Sequence, residues 1–278
     1  MRKIITLFFL AILLMSCDCC TGLISTVTPT GPVVNPTSRF LFIFNGESNA
    51  GGIVYDTVSL PSELLPQPQV QILNNTTFSI EDLDIGYNNN LGHYGMWADR
   101  HGWELNLANK VAAEPSYYGD TVYLVKTAQG SSTLGQWQGT PPYITNSYAW
   151  IFKKRLDTMQ SQLQGRTLKK VIFVSLGIND RANATSQANF RTLMIQHIAN
   201  MRLATGGGNT PVIMTKFAHG LETYNASMDT IANFSGLDSV YTIEDDLAAT
   251  HMDAGHWDEN GMKVICDRML AKVKLIYP

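Results

Sequence analysis

Five short apolar runs recur along the chain, at residues 40–44, 121–126, 170–176, 211–216 and 240–243. Each is rich in β-branched or aromatic side chains and ends in a polar or turn-forming cluster, the pattern of a strand. The runs are continuous rather than alternating, so both faces of each strand are expected to be buried, as in a parallel sheet. Helical spacing fills the gaps between them. Residues 103–113 carry Leu105, Leu107, Ala108, Val111 and Ala112; residues 147–163 and 186–204 form longer patterns; residues 260–276 place Met262, Ile265, Met269 and Val273 near one stripe. Gly206-Gly207-Gly208 stops the third of these. Strand alternating with helix predicts a doubly wound α/β sandwich around a five-stranded parallel sheet. Residues 55–100, rich in Pro, Asn and Gly, fit neither period and read as a long excursion over one face. Trp97, His101 and Trp103, at and beyond its end, are placed to shape a cleft.

The first residues follow a different rule. Arg2 and Lys3 precede an apolar run over residues 4–15, followed by Ser16-Cys17. This is the charged and apolar sequence of an export signal, too short to span a bilayer comfortably. Leu14-Met15-Ser16-Cys17 resembles a bacterial lipoprotein box, although Met15 stands where a small residue is usual. The resemblance implies that Cys17 is lipidated and becomes the new N-terminus; ordinary signal-peptidase cleavage and secretion is the rival. Residues 18–38, rich in Thr, Pro, Gly and Ser, read as a flexible tether off a membrane surface. The expected division is therefore a signal peptide at 1–16, Cys17 and a tether at 17–38, and a catalytic-type domain at 39–278. An exported protein anchored at the periplasmic or cell-surface side of a membrane is the expected location.

Composition narrows the partners. The 278 residues are 45% hydrophobic and 15% charged, enough apolar matter for a sizeable core, with a net charge of -3. Removal of residues 1–16 leaves 18 basic against 23 acidic residues, a balance of -5. Nucleic acid wants a basic face and is not expected as a partner. Cys19 and Cys20 are adjacent, Cys266 stands alone in the last helical pattern, and no C-x-x-C pair occurs, so neither a structural disulfide nor a zinc site is expected.

In an open parallel sheet, ligands bind beyond the carboxyl ends of the strands. Four such ends carry chemistry. After the first run comes Asn45-Gly46-Glu47-Ser48-Asn49-Ala50-Gly51-Gly52, a serine on a tight glycine turn. Such a turn exposes a nucleophile and turns backbone N–H groups toward a developing oxyanion; an ordinary capped turn is the plain alternative. After the second comes Gln129-Gly130-Ser131-Ser132, where Gly130 can present an N–H and Ser131 and Ser132 are rival nucleophiles. After the third, Gly177-Ile178-Asn179-Asp180 offers an amide dipole suited to an oxyanion hole, or an Asx-turn. After the fifth, His251-Met252-Asp253-Ala254-Gly255-His256-Trp257 holds an Asp-x-x-His pair. Folding Asp253 against the imidazole Nδ1 of His256 leaves Nε2 free as a base. His251, Asp253 and His256 are also weighed as part of a metal site. His93, His101, His197 and His219 read as structural.

Taken in order, Ser48, Gly130, Asn179 and His256 resemble the SGNH (GDSL-like) hydrolase superfamily. Gly46-Glu47-Ser48-Asn49 is similar to the first block of its carbohydrate-esterase branch, which includes sialate O-acetylesterases and acetylxylan esterases. Lys126-x-Ala128-x-Gly130 with Leu134 and Trp137 resembles the second block, Gly177-x-Asn179-Asp180 the third, and Asp253-x-x-His256 the last. The chain departs from the branch at Glu47, where Gln is usual, at Ser131, where a second glycine is common, and at Ile178, where Glu is often found. The resemblance covers about residues 39–275. It implies a three-layer α/β/α, flavodoxin-like sandwich and a metal-free, cofactor-free serine esterase acting on acylated glycans. In that reading Ser48 is the nucleophile, His256 the base and Asp253 its orienter. The Ser48 and Gly130 N–H groups and the Asn179 side chain hold the oxyanion. Glu47, Trp137 and Trp257 are the candidates for contact with the sugar; for the two tryptophans, packing in the core or at the rim is the plain alternative. A lipid or short-chain acyl esterase or thioesterase on the same scaffold, a non-catalytic glycan-binding protein, and a metallohydrolase remain the rival classes.

Overall fold

The computed structural model describes residues 40–55, 68–84, 100–164, 166–182, 185, 187–218, 222–234, 236–246 and 248–278. The expected signal peptide, Cys17 and tether lie outside these residues, as do His93, Trp97 and His219.

All five predicted strands form, as β1 (Phe40–Gly46), β6 (Val122–Ala128), β7 (Lys169–Ser175), β8 (Val212–Thr215) and β9 (Val240–Ile243). The excursion contributes β2 (Val54–Tyr55), β3 (Val70–Leu73) and β4 (Ile80–Asp82), and β5 (Arg100–His101) follows at its end. The main sheet has seven strands in the order β4-β3-β6-β1-β7-β8-β9, parallel throughout except for the antiparallel β3–β4 pair. The expectation of five strands is thus corrected to seven. β4 escapes a search for continuous apolar runs because it is the sheet's edge strand, with Glu81 and Asp82 facing partly outward; β3, buried at Val70, Ile72 and Leu73, escapes because it has four residues and Gln71 interrupts them. β2 and β5 pair separately, antiparallel.

The helices are α1 (Ser48–Gly51), α2 (Trp103–Ala112), α3 (Pro115–Tyr118), α4 (Tyr148–Gln162), α5 (Ile178–Ala182), α6 (Gln187–Ala204), α7 (Asn225–Ala232) and α8 (Glu259–Ile276). Caps explain two starts: Ser147 accepts from the Trp150 N–H, and Asp258 accepts from the Gly261 N–H at 2.9 Å. The period of two along β1 divides the core. Phe40, Phe42 and Phe44 pack with Trp103, Leu107 and Val111 of α2 and Ile265, Met269 and Val273 of α8. Leu41 and Ile43 point to the other layer, with Leu156 and Met159 of α4, Met194 and Ile198 of α6 and Met228 of α7. This is the three-layer α/β/α sandwich. Cys266 is buried in the α2–α8 layer, its thiol 3.5 Å from the Trp103 carbonyl oxygen.

Candidate active site

Because β6, β1 and β7 run parallel and in register, Ala128, Gly46 and Ser175 lie abreast at one edge. The turns that leave those residues therefore converge. Gly46 makes the tightest of them. Its φ is +152°, and a Cβ there would lie 1.9 Å from the Ser175 carbonyl oxygen, so only glycine lets β1 approach β7 at this point. The same carbonyl accepts from the Glu47 N–H at 2.9 Å, and the Gly46 carbonyl accepts from the Gln129 N–H at 2.9 Å. Ser48 emerges two residues after Gly46, partly exposed, at the start of α1.

The His256 loop closes over this edge from the far end of β9. The Ser48 Oγ lies 2.9 Å from His256 Nε2. His256 Nδ1 lies 2.7 Å from Asp253 Oδ2 and 3.0 Å from Oδ1. Asp253 also accepts from the Gly255 and His256 N–H groups at 2.8 and 2.9 Å. Partial burial pushes the Asp253 carboxyl upward, but these N–H donors and the imidazole outweigh it and hold the carboxyl below its ordinary value. An ionised Asp253 fixes the proton on Nδ1 and leaves Nε2 as an acceptor facing the serine.

Asn49 ties the two loops together. Its Nδ2 donates to the Gly255 carbonyl at 2.8 Å, and its Oδ1 accepts from the Trp257 N–H at 3.3 Å. The residues on either side of His256 are thereby bound to the residue after Ser48. Asp245, just past β9, accepts from Trp257 Nε1 at 2.7 Å and pairs with His251 Nε2 at 3.2 Å. His251 and Trp257 form an isolated antiparallel bridge. His251 thus braces the loop through its own carboxylate, apart from the Asp253–His256 pair. Neither the Asn49 clamp nor the Asp245 brace was read from the sequence, although Asn49 stands inside the first block.

The second and third turns interlock. Asn179 Nδ2 donates to the Ser132 carbonyl at 3.1 Å, and Asp180 accepts from the Leu134 N–H at 2.9 Å. Burial raises the Asp180 carboxyl, partly offset by that N–H. One hydrogen of the Asn179 amide is thus spent on orientation and a second remains on the same nitrogen. Among the described residues none accepts from the Gly130 N–H, and a Cβ at Gly130 would meet nothing within 4 Å. Of the rival serines, Ser132 is buried and committed, donating to the Gln129 carbonyl at 2.6 Å and accepting from Trp137 Nε1 at 2.9 Å. Ser131 is exposed, and it is Ser48 that meets His256.

Three expectations about sugar contact are corrected. Trp137 is 1% exposed, its ring packed on Tyr148 and His197. Trp257 is 1% exposed, tilted against Trp103. Both indoles fill the core and present no face to a ligand, because each N–H is satisfied inside the protein. Glu47 is also 1% exposed, beneath the serine. Its Oε2 accepts from the Ser48 N–H at 2.9 Å and from the Ser48 hydroxyl at 2.6 Å, and its Oε1 accepts from the Ser175 hydroxyl at 3.3 Å. Burial pushes the Glu47 carboxyl up, and the Ser48 and Ser175 hydrogen bonds with the His256 charge pull part of the way back. The Ser48 N–H, expected in the oxyanion hole, is therefore engaged by Glu47 in this state.

An ester-hydrolase site at the carboxyl edge of an α/β/α sheet is the class these features define. Residues 38–274 match the family of carbohydrate esterases described as sialic acid-specific acetylesterases, and the chain belongs to that family. Membership makes it a carboxylic ester hydrolase of the carbohydrate-esterase class. Among solved structures, a protein from Arabidopsis thaliana is similar at 18% identity and a TM-score of 0.67, covering 86% of this chain and 99% of that one. NanS is similar at 12% identity and a TM-score of 0.62, covering 88% and 99%. A carbohydrate acetylesterase from Xanthomonas citri is similar at 11% identity and a TM-score of 0.52; this chain is covered over 82% and spans 54% of that one. At these identities the three show a shared fold. No curated protein sequence matches this chain.

Proposed function

We propose that the chain removes O-acetyl groups from carbohydrate through an acyl-enzyme on Ser48. The observation that carries this reading is the continuous relay from the Ser48 Oγ through His256 to Asp253, at 2.9 and 2.7 Å. Ser48 Oγ attacks the acetyl carbonyl carbon as its proton passes to His256 Nε2, and Asp253 stabilises the imidazolium. The tetrahedral oxyanion is held by the Gly130 N–H and the Asn179 amide, joined by the Ser48 N–H once it turns from Glu47. The intermediate collapses, His256 protonates the departing sugar oxygen, and the acetyl group stays on Ser48. Water then attacks the acyl carbon, giving its proton to His256, and acetate leaves as Oγ recovers that proton. Both ring nitrogens of His256 are occupied by this relay, which favours the serine route over a metal held by His251, Asp253 and His256.

The test is acetate release from O-acetylated sialoglycan and from acetylated xylan by the wild type and by Ser48→Ala, side by side. Release by the wild type alone supports the reading; equal release by both refutes it. Asn179→Ala should lose on the order of 10²–10³ in kcat while remaining folded. We also propose export with lipidation at Cys17. Incorporation of labelled fatty acid that is lost in Cys17→Ala checks it, against release of unmodified protein.

A further inference from the structure

The Ser48 hydroxyl has one proton and two acceptors. Glu47 Oε2 stands 2.6 Å from Oγ and His256 Nε2 stands 2.9 Å away on the other side. Nδ1 of that imidazole faces Asp253, so Nε2 has a lone pair to offer. Attack on an ester requires the proton to go to His256. We propose that Glu47 is a positioning residue that restrains the nucleophile by competing with His256 for the Ser48 proton and by holding the Ser48 N–H out of the oxyanion hole. The inference rests on the reading of Ser48 as nucleophile.

The geometry makes the competition one-sided when Glu47 is ionised. A hydrogen bond from a hydroxyl to a carboxylate is charge-assisted and roughly twice as strong as one to a neutral acceptor, and the carboxylate contact is the shorter of the two. The same Oε2 also accepts from the Ser48 N–H, so one oxygen binds both groups that the reaction needs. As the proton moves to His256, the carboxylate loses a partner in a site where it is nearly sealed from water. Protonation removes the conflict. A neutral carboxyl is a weaker acceptor, can donate to Oγ, and leaves the hydroxyl proton to His256. The groups facing Glu47 are the Ser48 hydroxyl and N–H, the Ser175 hydroxyl from β7 and the His256 imidazole from the loop before α8, with His256 the charge that acts on it. Burial, the largest influence, favours the neutral form, so the restraint tightens as pH rises through the titration of Glu47.

Glu47→Gln is the test, because it keeps the size and an acceptor oxygen while removing the charge. The readouts are kcat/KM on a small acetyl ester and the rate of inactivation by a fluorophosphonate, both across pH 5 to 9. The expected ratio of variant to wild type is about tenfold at the alkaline end, where Glu47 is ionised, and falls as pH drops through the titration of Glu47. A ratio that stays near one throughout, or a variant slower than the wild type at alkaline pH, overturns the proposal. If the variant does not fold, Glu47→Asp takes its place, because the shorter side chain draws the carboxylate back from Oγ: it must be inactivated faster than the wild type at alkaline pH, and an equal or slower rate overturns the proposal. Ser48→Ala separates the two layers of inference. If it keeps activity and labelling, the nucleophile assignment itself fails; if it is inert while the ratio stays near one, only the role of Glu47 falls.

Discussion

Asn49→Ala should damage catalysis more than its place behind the serine suggests. The side chain makes two hydrogen bonds, to the Gly255 carbonyl and from the Trp257 N–H, and these bracket His256. Each contributes about 1 kcal/mol net. The Trp257 N–H, in a residue 1% exposed, is then left without its partner, a further cost of about 1–3 kcal/mol. The expected loss of stability is therefore about 3–5 kcal/mol, read by urea denaturation followed by circular dichroism. The larger consequence is positional. Without the clamp, the Ser48–His256 contact is the one remaining hydrogen bond between the serine turn and the His256 loop among the described residues. A displacement of about 1 Å between reacting groups costs on the order of 10²-fold in rate, so kcat on an acetyl ester should fall about that far under conditions where the variant is folded. Activity within twofold of the wild type would refute the clamp, and so would full activity loss without any change in stability.

Three other perturbations probe the frame of the site. Lys126 is wholly buried in β6 and pairs with Glu104 of α2 at 2.8 Å; Lys126→Met alone should cost about 3–5 kcal/mol by stranding the carboxylate, whereas Lys126→Met with Glu104→Gln should recover most of it in a double-mutant denaturation cycle. His197, fully buried with Nε2 on Asn45 Oδ1 at 2.8 Å, is pushed by burial down to about 3. Its unfolded form takes up a proton near pH 6.5 and its folded form does not, so stability is intact above that pH and falls as pH drops toward 3. The total is on the order of 4–5 kcal/mol, and His197→Gln should flatten this slope in urea midpoints measured against pH. Gly46→Ala should cost about 1–3 kcal/mol in backbone strain before its collision with the Ser175 carbonyl is counted, and thermal unfolding together with acetyl-ester turnover should both register the separation of β1 from β7.

Much of the architecture was legible because burial on both faces leaves its mark on composition. The five central strands are continuous apolar runs, and four of the helices began and ended within a residue or two of their periodic patterns. What escaped was structure whose sequence signal is weak. β3 is a four-residue strand interrupted by Gln71, and β4 is a short, half-wet edge strand, so their polar residues hide them. α7, Asn225–Ala232, has too few turns for a period to declare itself, and the four- and five-residue helices α1, α3 and α5 are turns as much as helices. The site divides in the same way. Ser48, Gly130, Asn179, Asp253 and His256 were readable as four separate strand-end clusters, since each has a recognisable chemistry within a few neighbouring residues. Trp137 and Trp257 stand open in the sequence between sugar contact and core packing, and burial decides for the core, because an aromatic beside a site looks the same in sequence whether its ring faces ligand or core.

By itself the sequence determined the strand–helix alternation, the four blocks at the strand ends and the identity of the candidate reactive groups, because these are local properties of a few residues. Only the tertiary structure decided which groups meet. The parallel register sets Gly46, Ala128 and Ser175 abreast, and Asn49 reaches 206 residues along the chain to hold the His256 loop. It also decided that Glu47 lies under the serine rather than in the pocket, with its carboxylate on the Ser48 hydroxyl. Burial and contact depend on what the rest of the chain brings to a position, and no local pattern carries that information.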